Sequence, residues 1–331
     1  MLRRREFIAG LGGAAAWPVV ARAQQPDRGQ RVGVLMAPDE TDPQGKARFS
    51  GFTQRLAELG WTEGHNLRMD VRWAADNVDR MRLFAKELVG LKPDVILATS
   101  TPVTAALQGE TRTIPIVFAN INDPVASGFV SSLPRPGGNL TGLINVEATM
   151  GGKRLQLLTE IAPGIKRVAI MFSPETAPYV SSYFQPSFEA AARLLKVEPI
   201  IAPVHSDAEI EMVITSLARE PGGGLITVPD NFVNSHRQTI ISSAARNSIP
   251  AVYQISVFVR EGGLLSYGAD DVDAYRRAAT VVERILRGEK PSDLPVQSPV
   301  KFEMAVNLKT AKALGLTIPE TLLATADEVI Q

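Results

Sequence analysis

The chain has no cysteine among its 331 residues. That excludes disulfides, thiolate catalysis, cysteine-ligated metals and a lipidated cysteine anchor together. Histidine is nearly as scarce: only His65, His205 and His236 occur. No two of them have the i, i+4 spacing that places two imidazoles on one helix face, so a zinc site is not expected. Net charge is also lacking, with 35 basic and 35 acidic residues. No broad basic field is therefore present to attract nucleic acid. Motifs of common enzyme chemistry are missing as well. There is no Gly-x-Ser-x-Gly elbow and no P-loop. Pro221-Gly-Gly-Gly-Leu225 is rich in glycine, but it leads into a strand-like run, whereas a dinucleotide loop leads out of one. The expectation is a protein that is not an enzyme and needs no cofactor.

What remains is an ordinary globular composition, 45% hydrophobic and 21% charged. The length accommodates two domains with separate cores. The first 23 residues have a different character. Arg3, Arg4 and Arg5 precede an apolar stretch from Phe7 to Val20, followed by Ala21-Arg-Ala23. Basic region, short apolar run and small-x-small site in that order read as an export signal. Arg4-Arg-Glu-Phe-Ile8 resembles the twin-arginine motif, which implies a bacterial periplasm. The apolar run is too short to span a bilayer well, so the protein is not expected to be membrane-embedded. Cleavage after Ala23 leaves 31 of the 35 basic and 34 of the 35 acidic residues.

From Gln30 onward, short runs rich in valine, isoleucine and leucine alternate with longer segments of helical periodicity. Strand-like runs begin at Arg31, Leu67, Asp94, Pro115 and Leu140, and a second series begins at Arg167, Glu198, Gly224, Ala251 and Leu264. Continuous apolar runs between helices imply parallel strands buried on both faces and right-handed crossovers. The expected fold is α/β, with two doubly wound parallel-sheet lobes. A long helical segment over residues 273–286 and a last strand-like stretch over 301–307 are left over. The simplest reading returns the helix to the first lobe and the strand to the second, which gives a three-crossing hinge. Lobe 1 is then 30–147 plus about 269–293, and lobe 2 is 148–268 plus about 294–331. Two tandem independent domains are the alternative.

Ligands of open parallel sheets bind beyond the carboxyl ends of the strands. Thr99, Ser100 and Thr101 follow one strand and open a helix, where free amides suit a carboxylate; helix capping explains the same residues. Asn120, Asn122 and Asp123 follow the next strand. Asp123 precedes Pro124 and reads as an ammonium partner or a turn residue. Ser173 and Tyr179 follow the first strand of the second series; the Tyr179 ring could stack on a ligand or pack locally. Asp230 and Asn231 follow another. Asp230 suits an ammonium group in a closed cleft, or caps the helix beyond it. Gln254 and Ser256 follow Tyr253, and Tyr267 and Asp270 lie at the expected crossing between lobes.

Six segments and the tail carry a resemblance. They are Arg31-Val-Gly-Val-Leu35, Phe52-Thr-Gln-Arg-Leu-Ala-Glu-Leu-Gly60, Lys92-Pro-Asp-Val-Ile-Leu-Ala-Thr-Ser100, Ile114-Pro-Ile-Val-Phe118, Asn122-Asp-Pro-Val125 and Gly137-Gly-Asn-Leu-Thr-Gly142, with Asn307-Leu-Lys-Thr-Ala-Lys-Ala-Leu-Gly-Leu-Thr-Ile-Pro319. In order and spacing they resemble the ABC-transporter substrate-binding family that includes tryptophan- and tyrosine-binding members, with the type I periplasmic-binding fold. The resemblance implies a small-molecule ligand held between closing lobes, an amino acid, with an aromatic one among the candidates. It transfers best to Ser100, Thr101, Asp123 and Asp230. It also implies an ABC permease and its ATPase as partners, and a monomer. A periplasmic sensor serving a membrane receptor has the same fold physics.

Overall fold

The structure is a computed structural model and describes residues 29–145 and 149–331. The expected export signal over 1–23 and the expected lobe boundary at 147/148 lie outside the described residues. The first series contains β1 (Gln30–Met36), α1 (Pro43–Glu58), β2 (Leu67–Trp73), α2 (Val78–Gly90), β3 (Val95–Ala98), α3 (Thr101–Glu110), β4 (Ile116–Ile121) and β5 (Leu140–Ile144). The strands form one parallel sheet in the order β2-β1-β3-β4-β5. β3 and β5 are buried at every position, as expected for strands with helices on both faces.

The second series contains α4 (Met150–Ile161), β6 (Arg167–Phe172), α5 (Gln185–Leu195), β7 (Glu198–Pro203), α6 (Asp207–Ala218), β8 (Gly223–Thr227), α7 (Asn231–Ser235), α8 (Arg237–Arg246), β9 (Ala251–Tyr253), α9 (Val257–Arg260) and β10 (Leu265–Ala269). A single π-helical turn, Val180–Phe184, leads into α5. After β10 come α10 (Asp271–Leu286), β11 (Phe302–Asn307), α11 (Leu308–Ala313), α12 (Glu320–Thr325) and β12 (Glu328–Ile330). The second sheet runs β12-β11-β10-β9-β8-β6-β7, parallel except for the β10–β11 pair.

Returning segments tie the two sheets. Tyr275, Ala278, Val282 and Ile285 of α10 pack in one core with Val32, Val34 and Met36 of β1 and Phe52 of α1. At ~1.5–3 kcal/mol for each large apolar side chain buried, this stripe docks α10 on the first sheet. β11 instead joins the second sheet beside β10. The chain therefore passes between the sheets after β5, between β10 and α10, and before β11. The last two passages are clasped together. Asp270 receives the Lys301 ammonium at 2.7 Å, and the Asp270 amide donates to the Lys301 carbonyl at 3.0 Å.

Helix α4 has no counterpart in the sequence reading. Gly151 and Gly152 in its first turn weaken the helical signal, although Leu155, Leu158 and Ile161 recur at helical spacing. Gly151 is there because its helix packs closely on the next: a Cβ would stand 3.0 Å from the Phe184 ring.

Candidate ligand-binding site

The strand order of each sheet reverses at one place, and ligands of such sheets collect there. In the first sheet β1 and β3 are neighbours, with β2 on the other side of β1. In the second, β6 and β8 are neighbours, with β7 beyond β6. Residues just past the carboxyl ends of these strands face one common cavity. Ala37, Pro38, Thr99 and Ser100 line it from the first sheet, and Thr176, Pro229 and Asp230 from the second. Its volume is about 80 Å³, several times the ~10–15 Å³ that one water requires.

Three contacts join the two walls. Ser235 donates to Asp76 Oδ2 at 2.8 Å. Arg237 Nη2 lies 3.6 Å from Asp42 Oδ1, while its Nε donates to Glu261 at 2.8 Å. Asn122 Nδ2 donates to the Pro229 carbonyl at 3.4 Å. The Asp76 residue is exposed as a whole, yet its carboxyl faces the opposite wall. Desolvation there pushes it up to about 6, helped by nearby Asp42.

Among the residues expected from sequence, Thr99, Ser100, Thr101, Asn120, Asn122, Asp230, Asn231 and Gln254 line the cavity. Several also carry structure. Thr99 Oγ1 accepts from the Ala37 amide at 2.9 Å and donates to the Leu35 carbonyl at 3.0 Å, tying β1 to β3. Ser100 caps α3. Gln254 accepts from Thr227 and donates to Asn234 Oδ1 at 2.5 Å. Asp230 caps α7 through the Phe232 amide at 2.9 Å, and also accepts from the Ser173 amide at 2.7 Å and from the Thr176 hydroxyl. Its burial pushes its pKa up. Asp230 thus meets both descriptions, a helix cap and a wall of the cavity.

Six expected residues stand outside the lining, among them Ser256, whose hydroxyl donates to Glu303 Oε1 at 2.6 Å. Asp123 holds a turn, accepting from the Ala126 amide at 2.9 Å. Ser173 is buried and turns its amide to Asp230. Tyr179 is buried in the second core, and its hydroxyl donates to the Pro229 carbonyl at 2.6 Å, which anchors the loop before Asp230. The Tyr267 ring stacks on Phe302 with centroids 6.0 Å apart. Asp270 caps α10 and holds Lys301. Asp123, Tyr179, Ser256, Tyr267 and Asp270 engage their polar or aromatic side chains within the protein, which a sequence at single-residue resolution does not reveal.

The lining also contains residues the sequence reading did not select. Arg154 of α4 is 1% exposed. Its Nε donates to the Tyr267 carbonyl at 2.8 Å and its Nη1 to the Thr227 carbonyl at 3.2 Å. No carboxylate pairs with it among the described residues, and burial lowers its pKa to about 10. Arg48 of α1 does have a partner, Asp271 at the start of α10. Asn145 follows β5 and completes an asparagine group with Asn120 and Asn122. Asn120 adopts a left-handed backbone, φ 58°, where the β4–β5 register shifts; asparagine tolerates that conformation better than most residues. Fixed hydrogen-bonding groups of both signs around a small space suit the capture of a compact zwitterion.

Known proteins align with this arrangement. A tyrosine-binding protein of Clostridioides difficile (strain R20291) is 28% identical over 267 residues, 80% of this chain and 76% of that protein. An ABC domain in complex with L-Trp from Streptococcus pneumonia superposes with a TM-score of 0.83 at 26% identity, covering 91% of this chain and 99% of the other. A ligand-free, open substrate binding protein with adhesive properties from Clostridium difficile gives 0.70 at 26% identity, with the same coverage. Among the described residues no helix is long and apolar enough to cross a membrane. The profile of the family described as ABC transporter substrate binding protein matches residues 39–330, and the chain belongs to that family.

Proposed function

We propose that the protein is the periplasmic solute-binding component of an ABC importer and captures an amino acid between two lobes. The carrying observation is Arg154, a buried cation with no acidic partner among the described residues, facing the same cavity as the Asp76 and Asp230 carboxyls. An α-carboxylate directed at Arg154 or at the first turn of α3 gains charge-assisted hydrogen bonds, and an α-ammonium gains them from the acids. The lobes in this reading are 30–147 with about 269–293, and 148–268 with about 294–331.

In the proposed cycle an open form binds solute, and the solute bridges the lobes because its affinity is greater for the closed form. The closed surface then docks on a permease, whose ATPase drives release. Support comes from the wall-to-wall contacts at Asp76 and Asp42. The greater likeness to the L-Trp complex, 0.83, than to the open ligand-free protein, 0.70, agrees with a closed arrangement. Residues 1–23 carry the export reading.

Thermal unfolding of protein stripped of ligand, against a panel of amino acids, aromatic acids and sugars, tests the reading. A ligand at about 100 times its Kd adds about 2.7 kcal/mol of stability. A raised midpoint with an amino acid is expected. Stabilisation only by sugars, or only by acids without an amine, would overturn the amino-acid reading.

A further inference from the structure

Asn120, Asn122 and Asn145 have something in common beyond their place. The Oδ1 of each is buried and accepts no hydrogen bond within the described protein. The same holds for the donors Arg48 Nε and Asn231 Nδ2. All five atoms belong to residues that line the cavity. Buried polar atoms ordinarily find partners; of the eight described side-chain atoms that do not, these five gather at one cavity, where another molecule can supply partners. The lining has a second property. None of its described residues is phenylalanine, tyrosine or tryptophan, and its largest apolar side chains are Ile255 and Val257. The nearby rings are engaged elsewhere: Phe184 lies beneath the Arg154 guanidinium, and Tyr267 against Phe302.

We infer that the ligand is an aliphatic amino acid with a neutral hydrogen-bonding side chain, a carboxamide or an alcohol hydroxyl, and that Asn120, Asn122 and Asn145 select it. This rests on the amino-acid reading above and narrows it. The three carboxamides come from one edge of the first sheet, at the ends of β4 and β5. Together they form a neutral acceptor surface that a side-chain N–H or O–H can satisfy. A phenyl ring in the same place would cover these oxygens without pairing them, and a phenol or indole brings one donor to three acceptors. A site built for hydrogen bonds discriminates strongly against a ligand that lacks the group, because its own polar atoms are left buried and unpaired. The side-chain specificity therefore differs from that of the tyrosine- and L-Trp-binding relatives.

The test is calorimetric titration of the full chain after unfolding, removal of bound solute and refolding. Glutamine, asparagine, serine and threonine are compared with tryptophan, tyrosine and phenylalanine. At least one of the first four is expected to bind tenfold or more tightly than any aromatic. Asn145→Leu, which removes one acceptor at nearly constant size, is expected to weaken that ligand at least tenfold while keeping the circular dichroism spectrum. Tightest binding by an aromatic amino acid overturns the inference and leaves the amino-acid reading standing. Unchanged affinity in Asn145→Leu also overturns it. Binding by no amino acid removes both, so the two failures are distinguishable.

Discussion

Ser235 donates its hydroxyl to Asp76 Oδ2 at 2.8 Å, across 159 residues of sequence. Ser235 ends α7 of the second sheet's half, and Asp76 lies in the turn before α2 of the first. Ala75 and Asp76 both have left-handed backbones, φ 50° and 53°, and this turn holds the carboxyl toward the opposite wall. Ser235→Ala is expected to weaken solute binding about 3–10-fold, the equivalent of one hydrogen bond worth ~0.5–1.5 kcal/mol. Small-angle scattering of the ligand-free variant should show a larger radius of gyration than the parent. An unchanged radius and affinity would show that this bond does not hold the lobes.

In the proposed cycle the same carboxyl is expected to make closure depend on pH. Desolvation against the opposite wall raises its pKa from 3.8 to about 6, in the company of Ser235, Asp42, Arg48 and Asp39. A carboxyl with a raised pKa binds its proton more tightly in that arrangement. Its favourable contribution is complete below about pH 4 and is lost as pH rises through about 6. Scattering of ligand-free protein should therefore show expansion between pH 4 and 6.5, and Asp76→Asn should flatten the curve. An equally steep curve in the variant would assign the effect to another group.

Arg154→Met separates binding from folding. Loss of a charge-assisted contact to the solute carboxylate, worth ~1.5–3 kcal/mol, is expected to weaken binding about 10–100-fold. The Tyr267 and Thr227 carbonyls lose their donors, so the unfolding midpoint should fall too, by an amount matching ~1–3 kcal/mol. Parent-like affinity by calorimetry in a destabilised variant would reduce Arg154 to a structural tie.

Asp230→Ala should destabilise the ligand-free protein. It removes a helix cap, ~1 kcal/mol, and leaves the Ser173 amide buried without its acceptor, adding ~1–3 kcal/mol. Denaturant titration without solute reads this directly. In contrast, Asp123→Ala is expected to change solute affinity less than twofold, because Asp123 caps an exposed turn outside the cavity.

Gly268→Ala tests the wall behind the cavity. A Cβ there would stand 1.9 Å from the Gln254 carbonyl oxygen, so β10 cannot keep its distance from β9. Overpacking of this kind costs ~1–3 kcal/mol. The expected result is a lower unfolding midpoint, with weakened binding because Gln254 lines the site.

The α/β class, the two alternating series and most of the strands were legible in the sequence, because a strand buried on both faces must be apolar throughout and its crossover helix must be periodic. The strand-end rule also led to Ser100, Asn120 and Asp230, since the carboxyl end of a strand is visible wherever its apolar run stops. The neutral charge and the missing cysteines bounded the chemistry for the same reason: composition does not depend on the fold. Tertiary structure alone decided which of those strand-end residues share a space. Asp123 and Asp270 are as polar, and as close to strand ends, as the residues retained, but local hydrogen bonds consume them. Conversely, Arg154 sits within a helix opened by two glycines, where nothing in the sequence separates it from a surface arginine. Only the packing of α4 against the second sheet places its guanidinium beneath the cavity. The meaning of a side chain there depends on which partners 73 or 113 residues away reach it, as Thr227 and Tyr267 do, and proximity of that kind is a property of the folded chain.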